Sequence, residues 1–193
     1  METYPLLVAA ARAASDAVSK IGPEQFAAPT PCAKFDVRTL ANHLIWSMHL
    51  SRHAARKQPM PGDLTESRDY TAEGWPAVFT KTLDDLVRAW AEPGAWEGET
   101  AFGETPIPSA FAAELSWSDL VVHTWDLAVA TGERLDVPAD LAEATVRVIA
   151  GMAQLGRDMG FYGPEVPLPE SAPALDRALG LTGRDPAWSP PGH

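Results

Sequence analysis

The chain has 193 residues, 15 Lys and Arg against 26 Asp and Glu, a formal net charge of −11 and 46% hydrophobic residues. That is the size of one ordinary domain, able to bury a core without disulfides, and it is too apolar for a disordered chain. The acidic balance excludes a nucleic-acid backbone or an anionic membrane surface as main partner. The single cysteine, Cys32, excludes a disulfide framework and a cysteine-cluster metal site, and no apolar run approaches the ~20 residues of a membrane span.

The first predicted helix runs from Tyr4 to Lys20, with Leu6, Leu7, Ala10, Ala14 and Ala17 on one side, and Gly22-Pro23 stops it. Glu2 before it and Arg12 within it do not read as a signal peptide, so a reducing, cytoplasmic setting is expected. Asp36 is placed to cap the second helix, with Phe35 before the cap and Leu40 four residues after it as a hydrophobic staple. Val37, Leu40, Ala41, Leu44, Met48 and Ser51 form its inner stripe, and it fades near Arg56-Lys57. Gln58 to Glu73 reads as a long surface loop, rich in Pro, Gly and charge. A third helix is predicted from Trp75 to Ala91, ended by Pro93-Gly94. Ala95 to Pro108 has no helical period and suits a small hairpin. The fourth helix covers Ser109 to Ala130, closed by Thr131-Gly132, and the fifth starts at Pro138. A proline-rich stretch follows Gly160, then a short helix around Ala174 to Leu179 and a loose tail. The expectation is an all-α, single-domain helical bundle over residues 1–193, with extra short helices and almost no strand.

The chemistry-bearing stretch is Ser118-Asp119-Leu120-Val121-Val122-His123-Thr124-Trp125-Asp126-Leu127. Asp119 and His123 are four apart, so on a helix they share a face and can reach one metal ion together. Two ligands on one helix seldom suffice. His43, at the edge of the second helix's stripe, is the best third. His49 lies roughly 240° around that helix from His43 and His53 roughly 280°, so both should miss the site, and His193 sits on the tail. Asp126 shares a face with His123 and suits either a partner that orients its imidazole or a residue at the rim of the site; Trp46 and Ser47 suit the pocket wall. The plainer alternatives are a packing histidine and a helix-surface ion pair, which this spacing also produces. Cys32 has no neighbouring histidine in sequence and reads as a buried thiol rather than a nucleophile.

At these residues the chain resembles the actinobacterial metal-binding proteins related to the N-terminal domain of mycothiol-dependent maleylpyruvate isomerase, within the DinB/YfiT-like superfamily. The likeness is carried by Thr30-Pro31-Cys32 through Phe35-Asp36-Val37-Arg38-Thr39-Leu40-Ala41-Asn42-His43-Leu44. It is carried too by Val122-His123-Thr124-Trp125-Asp126-Leu127-Ala128-Val129-Ala130-Thr131-Gly132, and by Leu179-Gly180-Leu181-Thr182-Gly183-Arg184-Asp185-Pro186. The resemblance implies a four-helix core holding a divalent metal, commonly zinc or nickel, on His43, Asp119 and His123. The isomerase uses Glu at the middle position, and Asp is shorter. The isomerase also has a further C-terminal domain for which these residues leave no room, so the metal and the thiol carry over better than maleylpyruvate.

Two neutral imidazoles and one carboxylate are the ligand count of a catalytic site with an open position. The expected function is a metal-dependent, mycothiol-type S-transferase or isomerase, in which a metal-activated thiolate meets an electrophile. The alternatives are a metal-hydroxide hydrolase with the same ligands, and a non-catalytic metal-binding interaction module. The expected partners are a small-molecule thiol and an electrophile, with no nucleic acid and no membrane; bundle faces rich in Trp and Ala would also support a homodimer.

Overall fold

A computed structural model of the chain describes residues 3–72, 74–102 and 105–190. Helix α1 (Tyr4–Val18) buries Leu7, Ala10, Ala11, Ala14, Ala17 and Val18. It unwinds through i→i+3 bonds from Lys20 N–H to Ala17 and from Ile21 N–H to Val18, which ends it short of Lys20. A 3-10 turn (Pro23–Gln25) follows. Helix α2 (Val37–Ala55) starts where the Asp36 carboxylate accepts the Thr39 N–H at 2.7 Å, and it buries the whole predicted stripe. Helix α3 (Trp75–Trp90) buries Trp75, Phe79, Leu83, Leu86 and Trp90, and a second 3-10 turn (Pro93–Trp96) follows it. The hairpin is present. Strands β1 (Glu99–Phe102) and β2 (Thr105–Pro108) pair antiparallel, with Glu99 opposite Pro108 and Phe102 opposite Thr105. Helices α4 (Ser109–Ala130), α5 (Ala139–Asp158) and α6 (Ala174–Leu181) complete the chain.

The first four helices close a ring: α1 packs on α3 and α4, and α2 packs on the same two. This is the four-helix core. Helix α5 lies outside it against α4 and α1, and α6 lies on α5. Helix α4 therefore has neighbours on three sides, which is why it is buried nearly all round. A second, smaller apolar cluster of Val122, Trp125, Ile149, Ala178 and Leu179 fills the space between α4, α5 and α6. No helix is long and apolar enough to cross a membrane among the described residues.

Two irregular segments matter for the site. The loop between α2 and α3 is anchored on α2: Tyr70 N–H donates to Asn42 Oδ1 at 2.5 Å, and Arg38 Nη2 donates to Asp69 Oδ2 at 3.1 Å. The C-terminal segment is drawn back over α4 and α5. Gly163 N–H bonds Thr182 O at 3.1 Å, and Val166 N–H bonds Gly180 O at 3.0 Å. Gly183 turns the chain there with φ +85°, and a Cβ on it would lie 2.7 Å from the Gly163 backbone.

Candidate metal centre

His43 projects from the middle of α2, while Asp119 and His123 lie one turn apart on α4. The packing of α2 on α4 brings the three together. One ligand atom from each lies within 4.8 Å of the other two. His123 Nε2 is 3.5 Å from Asp119 Oδ1, and the two imidazoles meet edge to face at 5.2 Å between ring centres. All three residues are half-buried, so the cluster opens toward solvent without being washed by it. His49 and His53 stand apart from this trio, Cys32 adjoins it at His123, and His193 lies outside the described residues.

Each imidazole is held by its other nitrogen. His123 Nδ1 is 2.9 Å from Asp126 Oδ2, and His43 Nδ1 is 2.9 Å from Glu66 Oε1. A carboxylate at Nδ1 fixes the proton there and leaves Nε2 as the free lone pair. This is the usual outer arrangement of a metal-binding histidine. Asp126 is fully buried, and the Arg184 guanidinium grips it as a fork, Nε to Oδ1 at 2.8 Å and Nη2 to Oδ2 at 2.7 Å. Burial alone would raise the Asp126 carboxyl. The Arg184 charge and the hydrogen bonds from His123 and Arg184 outweigh it and hold the carboxyl below its ordinary value.

The walls are aromatic. Phe35 stacks on His43 at 5.2 Å and Trp46 tilts against it at 5.8 Å. Ser47 lines a small space with Asp119 beneath α3 and β1. Tyr162 lies close enough to feel both Asp119 and Arg184; burial, and then the Asp119 charge, push its hydroxyl up to about 12.

Sequence reasoning set Cys32 apart from histidine, yet its thiol lies within 4.8 Å of a His123 nitrogen and an Asp126 oxygen, and it is half-buried. The loop from Pro29 to Asp36 folds onto the end of α5, where Lys34 Nζ donates to Gly160 O at 2.7 Å. Burial raises the thiol pKa, with Arg184 working against it. Arg184 already neutralises the Asp126 carboxylate, so Cys32, His123 and Asp126 offer less negative charge to a cation than their side chains alone suggest.

Glu66 and Arg184 were not singled out from the sequence. Both come from irregular segments, where no periodicity points inward. Two signals bear on Arg184: it lies in the Leu179–Pro186 segment that carries the family resemblance, and a buried acid on an apolar helix, Asp126, demands a cationic partner somewhere in the chain.

The family model of the mycothiol maleylpyruvate isomerase N-terminal domain matches residues 7–128, and the chain belongs to that family. Two curated relatives, both from Mycobacterium tuberculosis, are the uncharacterized proteins MT0763 (strain CDC 1551 / Oshkosh) and Rv0738 (strain ATCC 25618 / H37Rv). Each is 26% identical over 174 residues, covering 86% of this chain and 89% of the relative. Among solved structures, the crystal structure of mycothiol-dependent maleylpyruvate isomerase matches with a TM-score of 0.56, and that of a mutant of it with 0.57. Both are 15% identical and cover 80% of this chain and 71% of theirs. That likeness is one of fold.

Proposed function

We propose that this chain is a divalent-metal-dependent enzyme that uses a low-molecular-weight thiol of the mycothiol type in S-transfer or isomerisation. The observation that carries the reading is the convergence of His43, Asp119 and His123 within 4.8 Å from two helices, each histidine backed by a carboxylate. Two imidazoles and one carboxylate suit zinc or nickel and leave room for a reacting guest. When bound, the ion favours the deprotonated form of a thiol.

The protein's own side chains do the rest. His43 and His123 present Nε2 because Glu66 and Asp126 occupy Nδ1. Arg184 keeps Asp126 ionised and in place. Phe35 and Trp46 shield one side of His43 from water, and Ser47 offers a hydroxyl near Asp119. Family membership supports the thiol; an electrophile completes the reaction, and the setting is cytoplasmic.

Elemental analysis of the purified protein tests the site. About one divalent ion per chain is expected, with a sharp loss in His43→Ala and in His123→Ala while helical circular dichroism is retained. Unchanged stoichiometry in both variants removes the site. A screen of electrophiles with and without thiol then separates the readings. Turnover that needs no thiol replaces this one with a hydrolase, and a tightly held metal without turnover leaves an interaction module.

A further inference from the structure

The segment between α2 and α3 is strapped along α2 at four places. Arg38 Nε donates to Thr71 Oγ1 at 3.1 Å, Asn42 Oδ1 accepts the Tyr70 N–H at 2.5 Å, and Glu66 Oε1 lies 2.9 Å from His43 Nδ1. The fourth place differs in kind. His49 meets the buried Tyr70 ring at 5.7 Å between ring centres, by packing alone. Its Nδ1 is buried and has no hydrogen-bond partner among the described residues. A neutral imidazole tolerates that position. A protonated one carries a charge and an unpartnered N–H into it, and both are costly away from water. The charged and titratable groups facing His49 are Arg52 and His53 from α2, Tyr70 and Arg68 from the strap, and Asp85 from α3. Arg68 lies over the Tyr70 ring at 5.4 Å, and Asp85 is already engaged by Lys81 at 2.8 Å and Arg88 at 2.6 Å. Added positive charge on His49 therefore meets more bases than acids.

We propose that this segment is an acid-released strap: protonation of His49 expels the Tyr70 ring from α2 and draws Glu66 away from His43. Tyr70 couples the two ends. Its ring rests on His49, and its hydroxyl donates to Thr65 O at 3.1 Å, next to Glu66 in the chain. The held state keeps His49 neutral, with its pKa lowered to about 4, first by burial and then by Arg52. In the released state the ring meets water and returns toward 6.5. The strap is therefore fully held above about 6.5, and release gains as pH falls from there toward about 4, by up to about thirtyfold at pH 5. Release needs no metal; only its consequence for an ion on His43 rests on the proposed function.

Hydrogen–deuterium exchange of the full, metal-free chain tests it, read by mass spectrometry from pH 7.5 to pH 5 and corrected for the chemical exchange rate at each pH. Protection of the Tyr70 amide and its neighbours should fall about tenfold or more across that range, while peptides from the middle of α4 keep theirs. His49→Phe keeps a ring against Tyr70 and cannot take a proton, so its strap should stay protected at pH 5. If that variant does not fold, nuclear magnetic resonance of the wild-type chain decides: the His49 ring and the strap amides should shift with one midpoint. Strap protection unchanged at pH 5, an equal loss in His49→Phe, a loss shared by α4, or separate midpoints would each overturn the proposal. These readings use no ion, so they hold or fail apart from the proposed activity.

Discussion

Asp126 and Arg184 form the residue pair on which the site's geometry turns. A fully buried carboxylate is tolerable only with a cation and hydrogen bonds, and Asp126 has a two-pronged guanidinium and an imidazole. Asp126→Asn keeps the shape and removes the charge, leaving the buried guanidinium unpaired. The expected cost is about 3–5 kcal/mol in urea unfolding of the metal-free protein. Removing both partners in Asp126→Asn with Arg184→Met should recover much of that loss, because no buried charge is then stranded. A loss in the double variant equal to the sum of the losses in Asp126→Asn alone and Arg184→Met alone would mean that the two side chains are not coupled. Asp126 was legible beforehand as a partner of His123, because three residues on a helix put them on one face. Arg184 was not, because 58 residues separate it from Asp126 and no pattern in the sequence measures distance through a turn.

At the scale of elements, the long amphipathic helices were readable because burial repeats with their own period, and α2 buries the stripe its sequence draws. One member of that stripe is polar, and periodicity gives no reason for it. Ser51 accepts the Trp90 indole N–H at 2.9 Å and meets Ser116 Oγ, so one hydroxyl links α2, α3 and α4. Ser51→Ala strands a buried indole donor and should cost about 1–3 kcal/mol, more than an ordinary loss of one hydroxyl, as read by the urea midpoint. The C-terminal turn is the opposite case: it has little periodicity, and close backbone contacts shape it. Gly183→Ala forces a side chain into positive φ and against Gly163 and Pro164. It should lower the thermal midpoint and loosen Arg184, which a fall in metal content alongside the fall in stability would report. A thermal midpoint unchanged from wild type would show that the turn yields at no cost. The loop that brings Glu66 to His43 was legible only as a loop, since its anchors, Asn42 and Arg38, lie on the helix rather than in the loop's own sequence.

At the scale of the whole molecule, acid should weaken the fold in two separate windows. His49 is partly buried against Tyr70, and burial, followed by the charges of Arg52, His53 and Arg68 and opposed by Asp85, lowers its pKa to about 4 from 6.5. His53 is buried and is lowered too, first by burial and then by Arg52 and Arg56. An unfolded chain takes up protons on both rings near pH 6.5, while the folded chain resists until lower pH. Stability is therefore full above 6.5 and falls as pH drops toward about 4, by at most about 1.4 kcal/mol per pH unit for each ring. The second window belongs to the carboxylates. Hydrogen bonds from Lys81 and Arg88 hold Asp85 at about 2, and Asp126 is also lowered, so their contribution persists above about 3.8 and is lost as pH falls below it. Urea unfolding with chelator present, followed from pH 7.5 to pH 3, should show both declines. His49→Gln with His53→Gln should flatten the upper one and leave the lower one in place. An upper slope that survives both substitutions would assign it to other groups, and the loss of both slopes together would mean that the histidines and the carboxylates titrate as one network.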